Sequence, residues 1–252
     1  MRCLLLLVCT ALPIAAQDKK PAATAPPKPL FSLPLAVAPG FKGKLTLRGL
    51  KLDDVTEITS TEPNAKLKLV GKGRKSAPPK DVPPEKAGDS EFDFELELPK
   101  DLPAATLPLV VVGPKGKSEP FLLTIDSSPT TAEKEPNDGF AQAQELVVPT
   151  TVTAKIERER DVDVFRFAGK AGETVQIEVV AARLGSPADA LVTVYDADKR
   201  ILLTVDDTAG KPDPVLNLKL PRDGIYYVSV IEAHDLGGPI FAYHLHITRA
   251  SK

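Results

Sequence analysis

Apolar residues recur at every second position along most of this chain. Leu45 and Leu47 alternate with Lys44, Thr46 and Arg48, and Leu67 and Leu69 alternate with Lys66 and Lys68. Phe92, Phe94, Leu96 and Leu98 alternate with Glu91, Asp93, Glu95 and Glu97. Later, Phe165 and Phe167 flank Arg166, and Val175, Ile177 and Val179 alternate with Gln176 and Glu178. Leu216, Leu218 and Leu220 follow the same rule, as do Tyr243, Leu245 and Ile247 around His244 and His246. A period of two puts one side of an extended strand in a core and the other in water. Leu107 to Val112 and Phe121 to Ile125 read as two more strands, joined by the turn GPKGKSEP. Turn segments such as AGKAGE, DDTAGKPD and PRDG separate the runs, and short strands punctuated in this way predict β-sandwiches. One short helix is expected, from Phe140 to Leu146. Gly71 to Ser90 breaks the alternation with prolines and charges, and is expected to be a long solvated loop.

Two breaks organise the pattern. Asp18 to Pro29 is rich in Pro, Ala and Lys and reads as a semi-extended tether. Asp126 to Ala132 is a Ser/Thr/Pro cluster between two patterned regions. The expected layout is a signal peptide over residues 1–16, a linker over 17–30 and a sandwich over 31–126. A second linker over 127–132 then leads to a second sandwich over 133–252. The first segment carries Arg2, an apolar run from Cys3 to Leu12, and small residues Ala15 and Ala16 before Gln17. That order of charge, apolar stretch and small residues is the logic of a cleavable export signal. A lipoprotein signal acylated at Cys9 is the rival, disfavoured by Val8 where a small residue is usual. The apolar run is too short to span a bilayer, which takes about 20 residues. No later segment is long enough either, so no transmembrane segment is expected. An exported, periplasmic or cell-surface location follows.

Composition narrows the chemistry. The chain has 25 Pro, 16 Gly, no Trp and two cysteines. Both cysteines, Cys3 and Cys9, fall in the expected signal, so a cleaved chain has no disulfide, thiol chemistry or cysteine-ligated metal. From Glu133 to Lys252, 19 acidic and 14 basic residues give −5, and Lys28 to Asp126 is near neutral at +1. Neither half has the basic excess of a nucleic-acid binder, so nucleic acid is not an expected partner.

The segments APGFKGKLTLRGLKLDDVTEI and LPLVVVGPKGKSEPFLLTI resemble the IPT/TIG class of immunoglobulin-like domains over Leu33 to Asp126. That resemblance implies an immunoglobulin-like spacer or binding module. A second series is more ordered: EKEPNDGFAQAQEL, DVDVFRFAGKAGETVQIEV, LGSPADALVTVYDADKRIL, DDTAGKPDPVLNLKLPRDGIYYVSVIEA and FAYHLHI. It resembles the bacterial pre-peptidase C-terminal domain over Glu133 to Thr248. The fold class expected is therefore all-β: two antiparallel sandwiches, immunoglobulin-like and then jelly-roll-like. Members of the second family are appended to secreted peptidases and other exported proteins, and some bind calcium at the N-terminal edge of the domain. This chain departs from the pattern in having no catalytic domain ahead of the family-like half.

The metal candidates are Glu133, Glu135, Asn137, Asp138, Asp161 and Asp163. Glu133 and Glu135 project to one side of an extended segment, and Pro136 favours that conformation at Glu135. Asn137 and Asp138 add oxygens, Asp161 and Asp163 share one side of a strand entry, and Ca2+ takes six to eight hard oxygen ligands. The competing reading has Asn137 or Asp138 capping the short helix, with Asp161 and Asp163 in an ordinary acidic turn. His244 and His246 share a strand face and make half of a zinc or copper site, with no third ligand evident from spacing. They are expected to face solvent. Asp206 and Asp207 sit in a turn where Asp is favoured for local hydrogen bonds. No motif of nucleophilic, zinc-protease or phosphate-binding type occurs, so no enzymatic activity is expected. The function expected is a non-catalytic module binding an extracellular polymer or protein partner, with Tyr226, Tyr227 and Phe241 as available aromatic residues. The alternatives are a structural spacer of a cell-envelope complex, or an accessory to a separately encoded peptidase.

Overall fold

The computed structural model describes residues 25–102 and 105–249. The expected signal peptide and most of the first linker lie outside the described residues.

Residues 28–125 build two sheets. The first joins β1 (Lys28–Leu33), β3 (Lys42–Leu50), β6 (Ser90–Glu97) and β5 (Lys66–Lys75), in that order. The second joins β2 (Ala36–Val37), β9 (Phe121–Ile125), β7 (Thr106–Gly113) and β4 (Glu57–Ser60), with β8 (Gly116–Lys117) turning back onto β7. β2 runs parallel to β9, while every other pairing is antiparallel. The alternation explains the layers: Leu45, Leu47, Phe92, Phe94 and Leu96 point inward and are buried against Leu107, Leu109 and Val111. Lys44–Asp93 (3.1 Å) and Lys66–Glu97 (3.3 Å) pair across the wet face, where ion pairs add little stability.

The segment Gly71–Ser90 is largely exposed, as expected, but is not a continuous loop. β5 continues through Lys75, breaking register with β6 between Val70 and Arg74, and α1 (Pro84–Ala87) follows. Val82 and Ala87 are buried. The cause is Arg48, which the alternation assigns to the wet face. It is only 3% exposed, because this excursion wraps its guanidinium. Nη1 pairs with Glu91 at 2.8 Å and also bonds the Ser76 hydroxyl, while Nε donates to the Ala87 carbonyl. Nη2 donates to the Ser76 and Ala77 carbonyls at 3.1 and 3.0 Å. A buried guanidinium needs most of its five donors satisfied, and it is this requirement that folds the excursion down.

Residues 130–249 build a second sandwich. One sheet runs β10 (Thr130–Ala132), β12 (Thr150–Lys155), β19 (Ala242–Arg249), β14 (Thr174–Val180) and β17 (Val215–Lys219). The other runs β11 (Gln144–Leu146), β13 (Val162–Gly169), β18 (Gly224–Glu232), β15 (Ala190–Tyr195) and β16 (Ile201–Val205). Only the short edge strands β10 and β11 pair in parallel, with β12 and β13. The inward set Phe165, Phe167, Val175, Ile177, Val179, Leu245 and Ile247 is buried as the periodicity predicts. The helix expected over Phe140 to Leu146 does not form: Phe140 to Gln142 make a turn, and Gln144 enters β11.

The two sandwiches touch. Phe31, Leu35, Val82 and Ala87 share an apolar cluster with the second core. Gly185 belongs to this contact, because at φ +84° a Cβ there would meet the Leu30 carbonyl oxygen at 2.3 Å.

A buried carboxylate cluster at the edge of the second sandwich

The entry to the second sandwich is laid against β12 and β13 by polar contacts. The Glu133 N–H donates to the Thr153 carbonyl at 3.0 Å, and the Val164 N–H donates to the Asn137 carbonyl at 3.0 Å. Gln144 fixes the turn between them, accepting from the Lys134 N–H at 2.8 Å and donating to the Ala132 carbonyl at 3.1 Å. Sequence reasoning missed the role of Gln144, which lies in the stretch expected to be helical.

This placement brings Glu133, Glu135 and Asp163 together, with one carboxylate oxygen of each within 4.8 Å of the others. Asn137 is fully buried; its Nδ2 donates to Glu133 at 3.1 Å and its N–H donates to Glu135 at 2.9 Å. Glu133 also accepts from the Lys155 N–H at 3.1 Å. Asp163 is fully buried and accepts one hydrogen bond, from the Tyr243 hydroxyl at 2.6 Å. Among the described residues, three buried side-chain oxygens stay without a hydrogen bond: Asn137 Oδ1, Asp161 Oδ1 and Asp163 Oδ1. Native interiors satisfy most such atoms, so three in one place are a clear departure. Asp161 Oδ1 does lie 3.1 Å from Arg158 Nη1, close enough for charge attraction but not aligned as a hydrogen bond. Its other oxygen accepts from the Glu157 N–H at 2.6 Å.

The electrostatics follow from this crowding. Burial, and next the neighbouring Glu133 carboxylate, push the Asp163 carboxyl up to about 9. Burial raises Glu133 as well, only partly opposed by its bonds from Lys155 and Asn137. The Tyr243 phenol is raised by burial and by the Asp163 charge beside it. Burial and neighbouring like charges favour the protonated form of a carboxyl group.

Of the six candidates, Glu133, Glu135, Asn137 and Asp163 form one group. Asp161 is buried beside it and faces Arg158. Asp138 is exposed and pairs with Arg158. Neither Asn137 nor Asp138 caps a helix, because a turn stands where the helix was expected. Tyr243 was read only as a core residue, although a buried phenol normally needs a partner.

Elsewhere, Tyr226 and Phe241 are core residues, 1% and 0% exposed. Tyr227 faces outward, where Phe140 packs edge-on against both Tyr227 and Tyr195 at about 5 Å. His244 is not solvent-facing: it is 5% exposed. Asp206 and Asp207 converge with Asp189 at the surface.

A β-sandwich carrying a partly buried acidic cluster at its N-terminal edge, with Asp163 inside and Glu135 exposed, is the class of structure defined so far. Within it, residues 161–232 match the family model of the bacterial pre-peptidase C-terminal domain. The chain is 37% identical over 99 residues to a probable subtilase-type serine protease of Deinococcus radiodurans; the match covers 38% of this chain and 14% of that protein. Among solved structures it is similar to the pre-peptidase C-terminal domain of a Bacillus anthracis collagenase. There the identity is 15%, covering 46% of this chain and all of that one, with a TM-score of 0.34. It is also similar to the periplasmic g-type lysozyme inhibitor PliG of Aeromonas hydrophila. That match has 15% identity, 48% and 96% coverage, and a TM-score of 0.31. Among the described residues no helix is long and apolar enough to cross a membrane.

Proposed function

We propose that this chain is an exported, non-catalytic binding module whose second sandwich takes up Ca2+ at the Glu133, Glu135, Asn137 and Asp163 cluster. The observation that carries the reading is the pair of unpartnered buried oxygens, Asn137 Oδ1 and Asp163 Oδ1, beside three converging carboxyl groups. An all-oxygen donor set with carboxylate and amide groups suits a hard cation. Bound Ca2+ would neutralise the cluster and tie the entry segment to β13. Asp161 lies outside it, with Arg158 as its counter-charge. The module would attach to an extracellular polymer or protein partner.

The test is a thermal melt of the chain in chelator and in millimolar Ca2+, beside Glu135→Gln and Asp163→Asn. A midpoint raised by Ca2+ in the parent chain but in neither variant supports the site, and an unchanged parent midpoint sinks it. Sedimentation with insoluble extracellular polymers, with and without Ca2+, then tests attachment.

A spacer reading has its own support. The strand order β1-β3-β6-β5 with β2-β9-β7-β4 supports reading the first sandwich as immunoglobulin-like, and the apolar cluster shared between the sandwiches favours two stiffly joined modules.

A further inference from the structure

A second group of ligand-bearing side chains meets where the two sandwiches join. His244 and His246, two apart on β19, put both imidazoles on one face, with ring centroids 6.1 Å apart and planes tilted by 60°. The third member comes from the other sandwich. Asp126 follows β9, and its N–H is anchored on the Val37 carbonyl at 2.9 Å. One Asp126 oxygen accepts from the Ser128 N–H at 2.8 Å, which orients the carboxylate and leaves its second oxygen available. One ligand atom from each of the three residues lies within 4.8 Å of the others.

We propose that Asp126, His244 and His246 form a transition-metal site of the zinc class, clamping the end of the first sandwich onto β19 of the second. The donor set is two imidazoles and one carboxylate, the type that selects zinc and its neighbours over Ca2+. A tetrahedral zinc would draw the ligand atoms to about 3.3 Å apart, within reach of small side-chain rotations. The outer contacts fit as well. Thr151 Oγ1 lies 2.9 Å from His246 Nδ1, which engages that nitrogen and leaves Nε2 for the ion, as second-shell partners of metal-bound histidines do. Burial lowers both imidazoles. Three protein ligands leave one position for water or for a donor from a bound partner.

The site shares no residue with the carboxylate cluster, so the two ions can be tested independently. With millimolar Ca2+ present throughout, the chain is titrated with Zn2+ against a chromophoric chelator, and Co2+ is added separately to read its visible absorption. The expected result is one Zn2+ per chain, weakened by about 100-fold or more in His246→Ala and Asp126→Asn. Thr151→Val should weaken it by about 10-fold. Glu135→Gln should leave it unchanged. His246 is only partly buried, and an unaltered Ca2+-dependent melt of His246→Ala reports that the fold survives. The proposal is overturned if no saturable Zn2+ binding occurs. It is equally overturned if the Zn2+ persists in His246→Ala but disappears in Glu135→Gln, which assigns the ion to the carboxylates.

Discussion

Arg48 in the first sandwich and Asp163 in the second are both ionisable side chains with almost no surface in contact with water. Around Arg48, Glu91, the Ser76 hydroxyl and three backbone carbonyls converge. Around Asp163 there is one donor, Tyr243, and two further carboxyl groups. Asp213 sharpens the contrast from within the second sandwich. It is equally buried, yet it accepts from the N–H groups of Ala181, Ala182 and Arg183 and from the Arg183 guanidinium. The second fold therefore can satisfy a buried carboxylate when it is structural. A buried group enclosed by its own partners maintains the fold, whereas one crowded by other carboxyl groups is the arrangement on which the Ca2+ proposal rests.

The largest effect separating the two cases is expected at Arg48. Arg48→Met removes one partner of a buried ion pair, leaving Glu91 with Arg74 alone and several carbonyls without donors. Loss of one partner of this kind costs about 3–5 kcal/mol, read as a drop in the urea midpoint. Arg48→Lys should recover only part of it, since an ammonium cannot reproduce the fork. A neutral Arg48→Met would mean that the excursion over residues 71–90 folds for another reason, and the contrast with Asp163 would lose its first half.

At Asp163 the sign reverses. Asp163→Asn removes the repulsion and keeps an acceptor for Tyr243, so it should raise the melting midpoint in chelator while abolishing the response to Ca2+. In the parent chain, Ca2+ at 100 times its dissociation constant should stabilise by about 2.7 kcal/mol. The pH dependence supplies a second readout. Asp163 ionises near 9 when folded against 3.8 ordinarily, so over that range the native state holds the extra proton. Metal-free stability then falls as pH rises. His244, lowered to about 4 from 6.5, acts the opposite way: below 6.5 the unfolded chain takes up the extra proton, and stability falls as pH drops. Melts between about pH 7 and pH 9 lie above the histidine range and isolate the carboxylates. The midpoint should decline there in chelator, hold steady in Ca2+ and lose its slope in Asp163→Asn.

These two regions also mark how far the sequence could be read. The strands were legible because alternation reports directly which side of a strand is dry, as at Phe92 to Leu98 and Val175 to Val179. The acidic entry segment was legible because its residues are close in sequence. What alternation cannot report is a polar face covered by a distant segment. Arg48 and His244 both occupy such faces, one under the 71–90 excursion and the other at the junction of the sandwiches. Asp126 stands 118 residues before His244, so no spacing rule joins them. The expected helix at Phe140 failed because Phe140 instead packs against Tyr195 and Tyr227, a tertiary contact that outweighs local propensity.

A smaller effect is expected at Tyr243. Tyr243→Phe keeps the ring in the core and removes the single hydrogen bond to Asp163, at a cost of about 1 kcal/mol in chelator. Calcium should restore most of this loss, because the orphaned oxygen gains a cation. A loss of equal size with and without Ca2+ would instead make the Tyr243–Asp163 bond a structural contact of the Asp213 type.

The smallest effect is expected at Asp138, and it discriminates within the six residues that the sequence nominated. Asp138 is exposed and paired with Arg158, which is itself well exposed. Surface pairs of this kind contribute little, so Asp138→Asn should leave both the chelator midpoint and the Ca2+ affinity unchanged. Arg158 makes the outcome informative, because it also faces the buried Asp161 at 3.1 Å. If Ca2+ binding draws Asp161 into the cluster, Arg158 keeps Asp138 as its partner, and Arg158→Gln should strengthen Ca2+ binding by removing a competing cation. If Asp138→Asn instead weakens Ca2+ binding markedly, the ion recruits Asp138 itself. The Arg158 pairs would then be the contacts exchanged for calcium.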